Sequence, residues 1–160
     1  MDLTSELLNL TRRLNAAGID YAVCGGLAMA VHGFVRATKD IDLLIRREDL
    51  KRVETLAEEV GFSIRAGIIP FGTGTPDARE IFRTSKVIDN VVVPLDLMLV
   101  APSLEEVWKN RVVAEFDGEH IVVVSREGLT AMKRAAGRPQ DLLDIEKLRE
   151  GHDEFPTEKT

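Results

Sequence analysis

The sequence predicts an α/β (α+β) fold, a small mixed β-sheet with helices packed on one face and further helices at the C-terminus. Three observations predict it. A short apolar strand at residues 21–24 breaks at Gly25 and Gly26 into an apolar helical turn, which returns as a second strand carrying Asp40 and Asp42. Apolar runs of strand length recur through the middle of the chain. Two helical segments close it, separated by Gly137 and Pro139.

Taken in order, Leu3, Leu7, Leu10 and Leu14 recur at helical spacing and predict an amphipathic helix over residues 3–17, stopped by Gly18. After the second strand, Leu50, Val53, Leu56, Ala57 and Val60 predict another helix, ended by Gly61. Residues 62–65 read as a strand. A Gly-, Thr- and Pro-rich loop is expected over residues 66–77, either closing over a substrate or merely connecting. Residues 80–84 and 91–100 read as strands, the latter interrupted by Pro94. Ser103 and Glu106 read as the capping box of a short helix. Asp117 and Gly118 separate two apolar runs and predict a hairpin. Helices follow over residues 127–136 and 140–150. The chain is expected to form one domain over residues 1–150, with a frayed polar tail over 151–160.

The chain has 160 residues, 44% hydrophobic and 30% charged, enough to bury one substantial core. A formal charge of −6 argues against stable coating of DNA or RNA, although not against a brief encounter with an RNA end. No apolar run reaches membrane-spanning length. The N-terminus lacks the basic start and apolar run of a secretion signal. Cys24, the one cysteine, has no internal partner and reads as a small buried hydrophobe. A cytoplasmic protein is expected.

Residues two apart in a strand share a face, so Asp40 and Asp42 project side by side while Ile41 and Leu43 turn inward. Paired like charges need a cation between them, and hard carboxylate oxygens suit Mg²⁺ or Mn²⁺. A helix beginning at Gly26 would offer free N–H groups to a phosphate. A third acid, Asp96, interrupts the run Leu95, Leu97, Met98 and Leu99, and an acid in a buried strand requires a partner. If the strands are neighbours, the three acids converge on one metal. Each has a plainer reading: a solvated strand edge for Asp40 and Asp42, and a structural pair with an arginine for Asp96.

Cys24, Gly25 and Gly26, then thirteen residues, then Asp40, Ile41, Asp42 and Leu43 resemble the signature of the polymerase-beta-like nucleotidyltransferase superfamily. The triplet centred on Asp96 resembles its third carboxylate. Gly25, Gly26, Leu27 and Ala28, with His32, Gly33, Arg36 and Thr38, are closer still to the small bacterial branch that includes nucleotidyltransferases of abortive-infection and toxin–antitoxin systems. The run Lys133, Arg138, Asp141 and Asp144 is similar to that branch and to the small antibiotic nucleotidyltransferases. The resemblance spans residues 20–148.

It implies a nucleotidyltransferase fold and transfer of a nucleoside monophosphate from an NTP to an acceptor hydroxyl, releasing pyrophosphate. Asp40 and Asp42 would hold two Mg²⁺ ions, and Asp96 would complete the site and act as base. Gly25 and Gly26 would contact phosphate through the backbone. Arg36 would contact a phosphate or neutralise the acids. Lys133 would reach the triphosphate or, with Arg134, Arg138, Asp141 and Asp144, make ordinary surface pairs. His32 would pack or cap a helix end. Other members carry a serine at the position of Gly26, so one phosphate contact must come from elsewhere. The acceptor implied first is tRNA or a protein, in a toxin–antitoxin setting with a partner encoded alongside. A small antibiotic-type molecule comes second. A non-catalytic regulatory or antitoxin module is the third reading, and it requires Asp96 to stand more than about 8 Å from Asp42, too far to share a cation.

Overall fold

The computed structural model describes residues 2–34, 37–150 and 158–159. Its elements run α1 (Leu3–Ala16), β1 (Ala22–Cys24), α2 (Gly25–Val31), β2 (Ile41–Ile45), α3 (Leu50–Glu59), β3 (Ile64–Phe71), β4 (Arg79–Ile88), β5 (Val91–Leu99), α4 (Glu105–Lys109), β6 (Val112–Phe116), β7 (Glu119–Val123), α5 (Arg126–Ala136), α6 (Pro139–Glu150) and β8 (Glu158–Lys159). The strands form one mixed sheet in the order β3-β4-β5-β2-β1-β7-β6-β8. This is the α/β architecture expected.

Local chemistry accounts for most boundaries. Leu7, Leu10 and Leu14 of α1 have no solvent exposure; burying each contributes roughly 1.5–3 kcal/mol. Asp2 caps the helix by accepting the Thr4 N–H at 3.1 Å. Gly18 and Gly137 adopt φ of 67° and 65°, the left-handed conformation that lets the chain leave α1 and α5. Two hairpins turn on paired positive-φ residues, Asp89 and Asn90 between β4 and β5, and Asp117 and Gly118 between β6 and β7.

The strand register separates two faces. Asp42 lies opposite Asp96, and Asp96 opposite Arg83, so these three side chains share a face. Ile41, Leu43, Leu95 and Leu97 alternate to the other face, where all four are fully buried. Lys86 of β4 also points that way and donates to the Glu6 carboxylate and the Val60 carbonyl at 2.6 and 2.7 Å, so α1 and the end of α3 cover that layer. The C-terminal helices close the acidic side, where Leu129, Met132 and Lys133 of α5 line a cleft over the acids.

Four expectations are corrected. The loop expected over residues 66–77 is strand as far as Phe71, and only 72–78 are irregular. β3 is an edge strand bonded to β4 alone, largely exposed and bulged between Arg65 and Gly67, so its sequence lacks a buried alternation. Pro94 does not interrupt β5. The ladder to β2 begins at Leu95, which leaves the proline flanked only by β4. Ser103 caps nothing, because a 3₁₀ turn over Pro102–Leu104 precedes α4 and no side chain caps that helix. The tail expected over 151–160 mostly lies outside the described residues, but Glu158 and Lys159 pair with β6 as β8. Among the described residues no helix is long and apolar enough to cross a membrane.

Candidate active site

β1 ends at Cys24, whose partner in the neighbouring strand is Asp42, and Asp42 is in turn opposite Asp96 on β5. Asp40 enters β2 one pleat earlier. The result is a triad in which one carboxylate oxygen from each of Asp40, Asp42 and Asp96 lies within 4.8 Å of the others. The glycines make this approach possible. Gly25 adopts φ +66°, and a Cβ there would stand 2.2 Å from Oδ2 of Asp42. A Cβ on Gly26 would stand 2.7 Å from Oγ1 of Thr38. That hydroxyl donates to the Asp40 carbonyl and carboxylate at 3.4 Å each. Gly25 and Gly26 are thus required by the packing of the acids, whatever they do for a phosphate.

Burial pushes the Asp42 carboxyl up to about 8, with the neighbouring charges of Asp40 and Asp96 adding to the effect. Asp96 is 5% exposed and accepts from Arg83 Nε and Nη2 at 2.7 and 2.8 Å, a bidentate pair. Asp96 therefore meets both readings of its sequence: it joins the triad and it is paired with an arginine. Arg83 was missed from the sequence. The hairpin register between β4 and β5 would have found it, had the Asp89 and Asn90 turn been read.

Lys133 is buried, not solvated. Its ammonium lies 2.8 Å from Asp144 Oδ2 and 3.8 Å from Asp141 Oδ1. Asp141 also accepts from the backbone N–H and Nε of Arg138 at 3.1 and 2.7 Å, and Gln140 donates to Asp144 at 3.0 Å. Burial pushes the Asp141 carboxyl up, but the hydrogen bonds and charge of Arg138 outweigh it and hold the group below its usual range. The ordinary surface pairs allowed by the sequence are thereby replaced, for Lys133, Asp141 and Asp144, by a buried network joining α5 to α6. His32 is fully buried and its Nε2–H donates to the Val124 carbonyl at 2.8 Å, a packing role. Cys24 is 1% exposed, a buried hydrophobe as expected. Arg36 lies outside the described residues.

A cleft of about 670 Å³ collects these groups. The acids, Gly25, Gly26, Lys133 and Arg138 line one part of it; Phe71, Arg79, Ile81, Arg83 and Met98, from β3 to β5, line another. A divalent cation fits the triad, because three mutually close, hard oxygen donors with a partly uncompensated negative charge are what Mg²⁺ or Mn²⁺ takes.

The model of a family described as "Uncharacterised nucleotidyltransferase" matches residues 1–132. The chain belongs to this nucleotidyltransferase family. A search of curated proteins finds no match. Among solved structures, a Thermotoga maritima protein described as a nucleotidyltransferase is 19% identical, with 95% of this chain and 93% of that one covered and a TM-score of 0.62. The lincosamide antibiotic adenylyltransferase LnuA, solved with lincomycin bound, is 15% identical, with 91% and 95% covered and a TM-score of 0.60. JHP933 from Helicobacter pylori is 20% identical, with 94% and 66% covered and a TM-score of 0.51. At these identities the likeness is one of fold. The family match is consistent with the polymerase-beta-like resemblance, and the chain is a nucleotidyltransferase.

Proposed function

We propose that the protein transfers a nucleoside monophosphate from an NTP to an acceptor hydroxyl, with Mg²⁺ at the triad and release of pyrophosphate. The observation that carries this reading is the convergence of Asp40, Asp42 and Asp96 within 4.8 Å beside the Gly25 turn. The non-catalytic reading needed Asp96 more than about 8 Å from Asp42 to prevent a shared cation, and it loses its support.

Each residue then has a role. Asp40 and Asp42 hold the metal, with Asp96 completing its site. When bound, Mg²⁺ supplies charge neutralisation for the triphosphate and the leaving pyrophosphate. Arg83 fixes the plane of Asp96 through both guanidinium contacts, so its oxygens face the triad in one orientation. Asp96 receives the proton of the acceptor hydroxyl as its oxygen attacks the α-phosphorus. The bond from that phosphorus to the β-phosphate bridging oxygen breaks, and pyrophosphate leaves with the electron pair. Gly25 and Gly26 admit the phosphates close to the backbone, and Lys133 and Arg138 face the same side of the cleft.

For the acceptor, a small hydroxyl-bearing molecule is favoured by the net charge of −6 and by the partly enclosed cleft. LnuA, of similar length and fold, is named for a small antibiotic acceptor. The spelling around Gly25, His32 and Asp40 favours instead tRNA or a protein in a toxin–antitoxin pair. Incubation with labelled NTPs and a cell lysate separates the two: label on small molecules supports the first, and label on RNA or protein the second. The reaction itself is tested by titrating Mg·NTP into wild type and Asp42→Asn. Loss of affinity and of metal dependence in the variant is expected; equal affinity with unaltered metal dependence would sink the assignment.

A further inference from the structure

The strand register divides the cleft wall in a way that names the chemistry of the acceptor, on the reading that the cleft is the transfer site. On β4, residues 79, 81 and 83 share the face of the triad, because Arg83 is opposite Asp96 and Ile81 is opposite Met98. Phe71 of β3 is paired with Arg79 and continues that surface. The two arginines differ. Arg83 is taken by Asp96 through two hydrogen bonds. Arg79 has a buried Nε with no hydrogen-bond partner among the described residues, although it lines the cleft. A buried guanidinium N–H without an acceptor costs stability unless something arrives to accept from it. Beside it stand the apolar side chains of Ile81, Met98 and Phe71, the last 44% exposed.

The charge balance of the lining points the same way. Beyond the triad, the described lining holds one acid, Asp141, against the cations Lys39, Arg79, Arg83, Lys133 and Arg138, of which Arg83, Lys133 and Arg138 are paired with Asp96, Asp144 and Asp141. On the β3–β5 wall this leaves the Arg79 guanidinium, which attracts an anion and repels a polycation.

We propose that the β3–β5 wall is the acceptor subsite, in which Arg79 takes a phosphate or carboxylate group of a hydroxyl-bearing acceptor while Ile81, Met98 and Phe71 cover its apolar part. The anionic group anchors the acceptor at the start of β4, four residues before Arg83, and the hydroxyl is presented to the triad. The bond made is acceptor oxygen to α-phosphorus; the bond broken releases pyrophosphate, and the hydroxyl proton passes to Asp96.

The test uses the full chain saturated with Mg²⁺ and a non-hydrolysable ATP analogue. Three hydroxyl-bearing probes are titrated calorimetrically: the dinucleotide CpA, glucose 6-phosphate and the polycation kanamycin. Wild type is expected to bind an anionic probe and not kanamycin. Arg79→Ala should weaken that binding by about tenfold or more, as expected for loss of a charge-assisted hydrogen bond, and Arg79→Lys should restore part of it. Binding of CpA alone assigns the anion to an RNA end, and binding of glucose 6-phosphate alone to a small phosphorylated metabolite. The proposal is overturned if neither anionic probe binds, if kanamycin binds as well as they do, or if Arg79→Ala leaves their binding unchanged. It is also overturned if Arg79→Ala weakens the ATP analogue itself, since Arg79 would then be a contact to the nucleotide. If wild type fails to bind the Mg²⁺-loaded analogue, the transfer reading falls first and this subsite with it.

Discussion

A Cβ at Gly25 would stand 2.2 Å from Oδ2 of Asp42, with the backbone at φ +66°, so one small residue sets the position of a metal-binding acid. Gly25→Ala is expected to abolish Mg²⁺-dependent transfer while costing about 1–2 kcal/mol of stability from the left-handed backbone alone; single-turnover assays and urea unfolding read the two effects. Asp42 itself carries a pH signature. Its carboxyl is raised from 3.8 to about 8 by burial and the neighbouring acids, so between those values the unfolded chain loses a proton that the metal-free native state keeps. Stability of the metal-free protein should therefore fall as pH rises from about 4 towards 8 and level off above it. Thermal unfolding in EDTA checks the slope, and Asp42→Asn should flatten it.

At the scale of elements, the contact between α5 and α6 depends on a buried cation. Lys133 is 5% exposed and Asp144 fully buried, with Asp141 and Gln140 completing the network. Asp144→Ala leaves the ammonium without its closest partner and should destabilise the fold by about 3–5 kcal/mol, measured by urea unfolding. Lys133→Met with Asp144→Leu should recover much of that loss, because paired removal of a buried ion pair is far less costly than breaking it. At the other end of α5, the Ser125 hydroxyl accepts the Gly128 N–H at 3.0 Å. Ser125→Ala should cost about 1 kcal/mol.

Across the whole molecule, a net charge of −6 coexists with a cleft whose lining is cationic beyond its acid triad. Local charge, not the net value, governs the approach of a nucleotide into a partly enclosed site. Mg·NTP affinity should therefore weaken several-fold between about 0.05 and about 0.5 M salt, as the screening length shortens; an unchanged or rising affinity in calorimetry would contradict a cationic cleft. The two layers on either face of the sheet divide labour. The apolar layer against α1 and α3 holds β2 and β5 in register, and that register brings Asp42 opposite Asp96.

Much of this was legible in the linear chain. Period-two alternation in residues 40–45 and 95–99 assigned faces to the acids, leucine spacing gave α1, and glycines at 18, 61 and 137 marked helix ends. These features are local, and local sterics and hydrophobic burial enforce them wherever the chain goes. Less legible were β3, an exposed edge with no buried alternation, and the strand through Pro94, tolerated because one neighbour is missing there. The sequence by itself determined that three acids interrupt apolar strands and that two glycines precede them. Only the tertiary structure decided that Asp96 is held by Arg83, that Lys133 is buried between carboxylates, and that the Arg79 Nε has no hydrogen-bond partner among the described residues. Pairings of that kind depend on strand order and helix docking, which bring together residues that no spacing in the chain connects.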